Sequence, residues 1–310
     1  MWQVTCVKHT MKAALPFSHQ VRTWWRRSHP TQIGPQHESV VEGGFDHVRM
    51  LRKGGLALDG SRILEIGSGW FPIIPLMLRV AGARTVYMAD AYPLLDAAGV
   101  RQALAFLSAN ESRISSGLEV GCERMAELVA AADRAEGKDL PALLEQLGIV
   151  YLAPFDVERE MPVVDAIVSH TALEHIPPSA IEDLVRAVHS GLRKGGLMSH
   201  GIDNTDHRAH NDRRLSRFDF LKYDGWVWRL FCLDPQDYTN RLRHSEYMAL
   251  FERNGHRVIA ESTFVDRRAM ASLTRARLAA PFKDRPREDL ATAWSHILTR
   301  SHTRDDWHGC

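Results

Sequence analysis

Residues 62–71 read Arg62-Ile63-Leu64-Glu65-Ile66-Gly67-Ser68-Gly69-Trp70-Phe71, and the rest of the chain can be placed relative to this segment. Its apolar run is short and is followed directly by two glycines, which favours a buried parallel strand over a helix. The glycines allow a sharp turn and let a ligand lie against the backbone. Pro72 suits the first turn of a helix, which the apolar stretch 73–80 continues. Strand, glycine turn and helix follow one another in this way where open α/β folds bind nucleotide-like ligands.

The residues after the glycines indicate which ligand this turn accepts. A dinucleotide site needs a third glycine and free N–H groups for the pyrophosphate, but Trp70, Phe71 and Pro72 stand in this region. The segment Leu64–Gly69 is similar to the first motif of the class I S-adenosylmethionine (SAM) methyltransferases, a hydrophobic strand followed by an acid and Gly-x-Gly. SAM carries no phosphate, so the resemblance agrees with the missing phosphate cradle. It implies an α/β fold with a Rossmann-like, doubly wound, mostly parallel seven-stranded sheet and helical insertions, with SAM as the cofactor.

Two acids further along the chain fit the same resemblance. Asp90 follows a predicted strand at Thr85–Ala89, about 20 residues beyond the glycines, where a carboxylate can accept the ribose hydroxyls. A helix cap or a turn is the alternative role for Asp90. In the family, an acid after the third strand (149–153) binds the adenine amino group and a neighbouring apolar residue packs on the ring, which Asp156 and Phe155 match; a solvated loop position is the alternative for Asp156. The cofactor-binding residues predicted in this way are Glu65, Gly67, Ser68, Gly69, Asp90, Ala91, Phe155, Asp156 and Ser169.

The segment after the fourth predicted strand points to the class of acceptor. Val163–Ser169 is an apolar strand with an early aspartate, and it leads into His170-Thr171-Ala172-Leu173-Glu174-His175-Ile176-Pro177. This resembles the fourth motif of small-molecule methyltransferases, in which such a strand leads to Leu-Glu-His. It does not resemble the Asn/Asp-Pro-Pro-Tyr tetrad of enzymes that methylate amino groups on DNA bases. The resemblance therefore implies transfer of a methyl group to a small molecule, with a hydroxyl as the expected acceptor.

The remaining strands and the domain boundaries follow from the same alternation of helices, turns and strands. We predict a fifth strand at Leu197–Ile202, a sixth at His256–Glu261 and a last one around Met270–Leu278. The predicted organisation is an N-terminal helical extension (1–50), a SAM-binding domain (51–265) and a C-terminal completion of the fold with a tail (266–310). Within the SAM-binding domain we expect a helical insertion at 94–148 and an active-site lid at 203–244.

Composition and charge exclude other classes of protein. The net charge of +1 gives no global field that would recruit nucleic acid or an acidic membrane. No apolar run approaches the ~20 residues that span a bilayer, so we expect no stable membrane insertion. The four cysteines form no Cys-x-x-Cys pair, which argues against a zinc site or a disulfide framework and makes a reducing cytoplasm the expected compartment.

The segment Trp24-Trp25-Arg26-Arg27 is interpreted as a helix packing its tryptophans on the domain, with a membrane-surface or partner contact as the alternative. The oligomeric state is left open.

Histidines and aspartates that follow the fourth and fifth strands are the candidates for chemistry. Methyl transfer needs donor and acceptor within near-attack distance, and a hydroxyl acceptor also needs a base, for which the pKa of histidine is suited. Ligands bind outside the carboxyl ends of the strands in open sheets, so these side chains are expected on the rim of the active site. The candidates are His170, His175, His200, Asp203, Asp206, His207 and His210. We predict His200 or His207 as the base, oriented by Asp203 or Asp206, with His170 as a further catalytic candidate; for each histidine the alternative is a hydrogen bond between lid and body.

The sequence leaves three other possibilities. The same cluster could hold a metal ion, but Thr171 and Ala172 stand where some cation-binding quinone O-methyltransferases carry further acids, so no metal is expected. A nicotinamide-dependent reductase or epimerase would need a third glycine and often a Tyr-x-x-x-Lys pair, and the sequence has neither. The third possibility is a non-catalytic binding protein with a methyltransferase fold. The intact glycines and acids argue only against the version of this possibility in which the cofactor loop is degraded.

Overall fold

The computed structural model of the chain describes residues 33–34, 37–135, 137–232 and 238–301. The predicted helix around Trp24–Arg27 and the predicted tail beyond Ser301 lie outside these residues. The strands are β1 (Arg62–Ile66), β2 (Thr85–Ala89), β3 (Ile149–Leu152), β4 (Val164–His170), β5 (Leu192–Asp203), β6 (His256–Val265) and β7 (Thr292–Ser301). No helix in the described ranges is both long enough and apolar enough to cross a membrane.

One of the described helices precedes β1 and the others lie between the strands. They are α1 (Glu38–Lys53), α2 (Ile73–Val80), α3 (Ala97–Ser108), α4 (Glu111–Leu118), α5 (Glu123–Asp133), α6 (Leu140–Gln146), α7 (Val157–Glu160), α8 (Pro178–Ala187), α9 (Arg208–Asn211), α10 (Gly225–Phe231), α11 (His244–Arg253), α12 (Arg267–Leu273) and α13 (Arg287–Leu290). Short 3₁₀ turns occur at Leu173–His175, Val188–Ser190, Asp219–Lys222 and Ala280–Phe282.

The seven strands form one sheet with the order β3-β2-β1-β4-β5-β7-β6. Strands β1 to β5 pair in parallel, whereas β7 runs antiparallel to both of its neighbours, β5 and β6. The chain builds outward from β1 first through β2 and β3, and then returns to build outward on the other side through β4 and β5. The predicted α/β class, with a Rossmann-like, doubly wound and mostly parallel seven-stranded sheet, is therefore confirmed.

Each face of the sheet is covered by its own apolar core. Ile63 of β1 and Val168 of β4 belong to the core that α1 to α6 cover, while Leu64 and Ile167 point to the opposite face, which α7, α8 and α11 cover. Burial on both faces explains why the central strands are short continuous apolar runs rather than alternating ones.

The last strand lies about 20 residues later in the chain than predicted. The stretch around Met270–Leu278 begins instead as helix α12, whose first turn is capped by Asp266 through a hydrogen bond from the Ala269 N–H. The strand that completes the sheet is β7. Its side chains are almost all buried, but many are Ser, Thr, His and Arg, so it lacks the apolar run by which the parallel strands were recognised.

A third core forms a cap, which we define as residues 206–232 together with 266–291. The members of this core are Phe218, Phe220, Leu221, Trp228, Phe231, Leu273, Leu278, Ala279, Phe282, Leu290, Ala291 and Ala293. The Arg208 guanidinium lies over the rings of Trp228 and Phe231 and pairs with the buried Asp206 at 2.6 Å. Residues 206–232 of the predicted lid thus pack with the C-terminal helices as one unit.

Candidate cofactor and acceptor site

The carboxyl ends of four parallel strands meet at one edge of the sheet. Ile66 at the end of β1 is in register with Ala89 of β2 on one side and with Ser169 of β4 on the other. Because β2 and β4 continue the sheet in opposite directions, the strand order reverses between β1 and β4. In doubly wound folds the loops that leave such a strand pair border a crevice, and we use this word for the edge formed here by the loops after β1 and β4. This is the position at which doubly wound folds bind their ligands.

The glycine turn after β1 lies against the segment that follows β4. Gly67 and Gly69 adopt positive φ angles of 81° and 63°. The Gly67 N–H donates to the Ala89 carbonyl at 2.8 Å, which holds the turn over the end of β2. A Cβ atom at Gly67 would lie 2.5 Å from the Cβ of Ala172, whereas one at Gly69 would meet nothing within 4 Å. The turn is therefore closed on the side of Gly67 and has open space at Gly69.

Asp90 connects the loops that follow β1 and β2. Its carboxylate accepts hydrogen bonds from the Gly69 N–H at 3.0 Å and from the Tyr92 N–H at 3.1 Å. The carboxylate is half-buried beside the glycine turn, and Ala91, also predicted to bind the cofactor, is exposed next to it. The carboxylate thus lies at the mouth of the crevice, where the ribose was expected.

Glu65 is buried beneath the same turn. Burial, with a smaller contribution from the charge of Asp90, raises the pKa of Glu65 to about 8. Its Oε2 atom has no hydrogen-bond partner among the described residues. Ser68 is buried beside it in the turn. A cationic group placed here would favour the ionised form of Glu65 and would supply the partner that it lacks.

Phe155 and Asp156 follow β3 and border the crevice. The Phe155 N–H donates to the Asp90 carbonyl at 3.0 Å, so this turn lies beside the ribose position. The Asp156 carboxylate caps α7 by accepting from the Glu158 N–H at 3.1 Å and lies 3.4 Å from the Arg159 guanidinium. The structure therefore gives Asp156 a capping role, and its contact with adenine stays a prediction.

His200 lies in the core beneath the crevice. Its Nδ1 is 2.7 Å from the Ser169 hydroxyl, and its ring stacks on Phe251 of α11 at 5.0 Å. Burial lowers the pKa of His200 to about 3, with smaller contributions from His256 and His296. The imidazole therefore stays neutral and fixes Ser169 at the end of β4. Its predicted role as the base stays a prediction, and its burial makes it less suited than His207 to contact an acceptor.

His170 points to the opposite face of the sheet, toward α1. Its ring lies 5.2 Å from that of Trp294 and 5.8 Å from that of His47. The Ser199 hydroxyl lies 2.8 Å from both His47 Nδ1 and His296 Nε2, so a chain of hydrogen bonds joins α1 to β5 and β7. Burial lowers the pKa of His170 and of His296 to about 4 and lowers that of His47 well below its usual value. Neither His47 nor His296 was a candidate from the sequence, although His47 is buried in α1 together with Val48 and Leu51.

The structure brings the segments after β4 and β5 together. The Asp203 N–H donates to Glu174 Oε1 at 3.3 Å, and Asp203 Oδ2 lies 3.5 Å from His207 Nε2 and 3.6 Å from His210 Nε2. Burial acts to raise the pKa of Asp203, but the neighbouring His207 and hydrogen bonding from Thr205 outweigh it and lower the pKa to about 2. An ionised carboxylate thus lies beside two imidazoles at the rim of the sheet. Asp206, the other predicted partner of a base, is instead buried against Arg208.

Searches with the sequence find no matching protein-family model and no matching curated protein. Among solved structures, the chain is similar to a SAM-dependent methyltransferase from Mesorhizobium loti, with 15% identity and a TM-score of 0.45 over 84% of this chain and 99% of that one. It is also similar to magnesium protoporphyrin IX methyltransferase from Synechocystis PCC 6803 with bound SAH (12% identity, TM-score 0.47, 96% of this chain and 99% of that one). A third similar structure is the YcgJ protein from Bacillus subtilis (13% identity, TM-score 0.44, 85% and 99%).

Gly67 and Gly69 form a matched pair for testing the glycine turn. We expect Gly67→Ala to destabilise the fold more than Gly69→Ala does. Both place an alanine in left-handed backbone, at a cost of about 1–2 kcal/mol, but only the first drives a methyl group against Ala172, which adds about 1–3 kcal/mol of overpacking. Urea unfolding of the two variants measures the difference; equal losses of stability would contradict the close contact.

The buried histidines predict a pH dependence of stability. An exposed imidazole titrates near 6.5, whereas His170 and His296 titrate near 4 in the folded chain. Between these values the unfolded chain binds protons that the folded chain does not, so stability falls as the pH drops from about 6.5 to about 4. In urea unfolding at a series of pH values, His296→Gln should show a shallower fall than the wild type. The same slope in both proteins would show that His296 is not held neutral by burial.

Proposed function

We propose that this protein is a class I SAM-dependent methyltransferase that transfers a methyl group to a small-molecule acceptor, at a hydroxyl oxygen. The observation that carries the proposal is the glycine turn at the point where the strand order reverses, with Asp90 bound to the Gly69 N–H. A nucleoside ligand is expected at this point in a doubly wound sheet.

The chemistry of the turn favours SAM over a phosphate-bearing coenzyme. SAM carries a sulfonium and an ammonium group, and the carboxyls of Glu65 and Asp90 border the turn on which it would rest. The negative charge of the Asp90 carboxylate would repel a pyrophosphate, whereas a cationic group would favour ionisation of Glu65. Helix α2 starts after Pro72, which has no N–H, and the Ile73 N–H already donates to the Phe71 carbonyl at 2.9 Å. The first donors of the helix are therefore poorly placed to bind phosphate.

In this proposal the homocysteine chain of SAM rests on the backbone of Gly67 and Gly69. The ribose contacts Asp90 and Ala91. The adenine contacts Phe155 and Asp156. Glu65 and Ser68 lie beneath the turn, and Ser169 borders the reacting end. When bound, SAM supplies an electrophilic methyl group on a good leaving group. The chain's own residues orient the acceptor in line with it and exclude water.

The acceptor side is proposed at the rim where Asp203 and His207 meet. His207 is the better candidate for the base because it lies closer to the surface than His200 and is 3.5 Å from an ionised carboxylate. Asp203 would stabilise the imidazolium that forms when the acceptor hydroxyl loses its proton. His170, directed toward α1, is better placed to support the end of β4.

We also propose the domain organisation predicted from the sequence, with one change: residues 266–291 belong with the lid in the cap. The acceptor is a small molecule, and neither a nucleic-acid partner nor membrane insertion is part of the proposal. The proposed compartment is the reducing cytoplasm.

Calorimetry with SAM, its demethylated product SAH, and NAD tests the proposal. We expect SAM and SAH to bind to the turn and NAD not to bind. Binding of NAD in place of SAM would favour the reductase or epimerase alternative. A methyl-transfer screen over small-molecule hydroxyl acceptors then separates an enzyme from a non-catalytic binding protein of the same fold.

Asp90→Ala should weaken SAM binding by about 1–3 kcal/mol, as expected when a charged group loses its hydrogen bonds to a ligand. Asp139→Ala is the matched control, because Asp139 also accepts a backbone N–H, that of Ala142 at 3.1 Å, but caps the distant helix α6. Calorimetry gives the affinities and thermal unfolding gives the stabilities. A loss of stability in Asp90→Ala with unchanged SAM affinity would show that Asp90 only caps the loop.

A further inference from the structure

Glu174, His175 and His207 form a cluster at the acceptor side of the crevice that the methyl-transfer proposal does not fully use. Each residue offers one ligand atom, and these three atoms all lie within 4.8 Å of one another. Glu174 and His175 belong to the 3₁₀ turn after β4, whereas His207 follows β5. The pairing of β4 with β5 is what brings the two segments together.

Glu174 is the buried member of the cluster. Its side chain is only 2% exposed, and Oε1 accepts a hydrogen bond from the Asp203 N–H at 3.3 Å. Oε2 has no hydrogen-bond partner within the part of the chain that the structure describes. A buried carboxyl oxygen without a partner is unfavourable, and a cation in the cluster would satisfy it.

His175 is oriented in the way that a metal-binding histidine usually is. His175 Nδ1 lies 2.8 Å from the Tyr238 carbonyl, so it carries the proton and leaves the lone pair on Nε2. A hydrogen bond from the second ring nitrogen to a carbonyl is the common support of a metal-binding imidazole. The His207 ring lies 4.9 Å from that of His175, and its buried Nε2 lies 3.5 Å from Asp203 Oδ2.

We propose that Glu174, His175 and His207 bind a divalent transition-metal ion, with Zn²⁺ as the representative ion. Two imidazole nitrogens and one carboxylate oxygen suit such an ion, whereas Mg²⁺ and Ca²⁺ prefer sites made of oxygen ligands. Ionised Glu174 and the neighbouring Asp203 together carry two negative charges, which balance the charge of the ion. From the sequence, His175 and His207 belonged to the cluster that could hold a metal ion, but no metal was expected because Thr171 and Ala172 stand where further acids would be needed. Glu174 was not among those candidates.

Binding of the metal ion does not depend on the proposed function. The effect of the ion on methyl transfer does rest on the proposed function. Three protein ligands leave a coordination position open, and the acceptor oxygen can occupy it. A hydroxyl bound to a cation is more acidic than a free one. In the metal-loaded protein His207 would hold the ion instead of accepting the proton, which would pass to bulk solvent when the acceptor binds to the ion. The oxygen then forms a bond to the methyl carbon as the carbon–sulfur bond of the sulfonium breaks.

Titration of the metal-free full-length protein with Zn²⁺ by calorimetry tests the site, and the visible absorption of bound Co²⁺ gives an independent signal. We expect one ion per chain at this site, with affinity lowered at least about tenfold in Glu174→Gln and in His207→Gln. His244→Gln is the matched control, since His244 also pairs with an acid, Glu261 at 2.8 Å, outside the cluster. The control should bind Zn²⁺ as the wild type does, and Mg²⁺ should not compete.

Equal Zn²⁺ affinity and an unchanged Co²⁺ spectrum in the wild type and in Glu174→Gln would overturn the inference. If circular dichroism shows that Glu174→Gln does not fold, His175→Ala replaces it, because that side chain is exposed. SAM calorimetry in the presence of a chelator separates the two proposals. SAM binding without site-specific Zn²⁺ binding would refute the metal site alone, and the reverse would refute the proposed function alone.

Discussion

At the end of β1 the backbone passes so close to Ala172 that the residue at this position has no room for a side chain. Ile66 is paired on both sides, and the next residue, Gly67, bends over Ala89 and packs against Ala172. This constraint fixes the turn at the point where the strand order reverses. It also sets the distance between the glycine turn and the segment that carries Glu174, so the cofactor side and the acceptor side of the crevice depend on the same contact.

The acceptor side is built by long-range pairing rather than by one motif. The register of β4 and β5 brings Glu174 to Asp203, and the cap then follows directly from β5. The fully buried Arg243 attaches the cap to the sheet: its Nη2 donates to the carbonyls of Asn204 and Thr292, and its guanidinium lies over the Phe218 and Phe220 rings. A cap packed in this way can keep water away from a reaction that needs donor and acceptor in line.

The parts of the fold that are encoded locally were predicted from the sequence. The apolar run before Gly67 and the position of Asp90 identified β1, β2 and the reversal point, because burial on both faces and positive φ leave a local signature. Strand β7 was placed wrongly because its buried residues are largely polar and their partners lie in β5 and β6. The contact of His47 with Ser199, and that of Glu174 with His207, join residues far apart in the chain, and no local pattern encodes them.

A crystal structure of the protein with SAH would test whether a nucleoside rests on the turn after β1. The ribose should then lie against the Asp90 carboxylate, with the homocysteine chain running over Gly67 toward Ser169. SAH bound at another edge of the sheet, or a crevice that stays closed while SAH binds elsewhere, would contradict the role assigned to this turn.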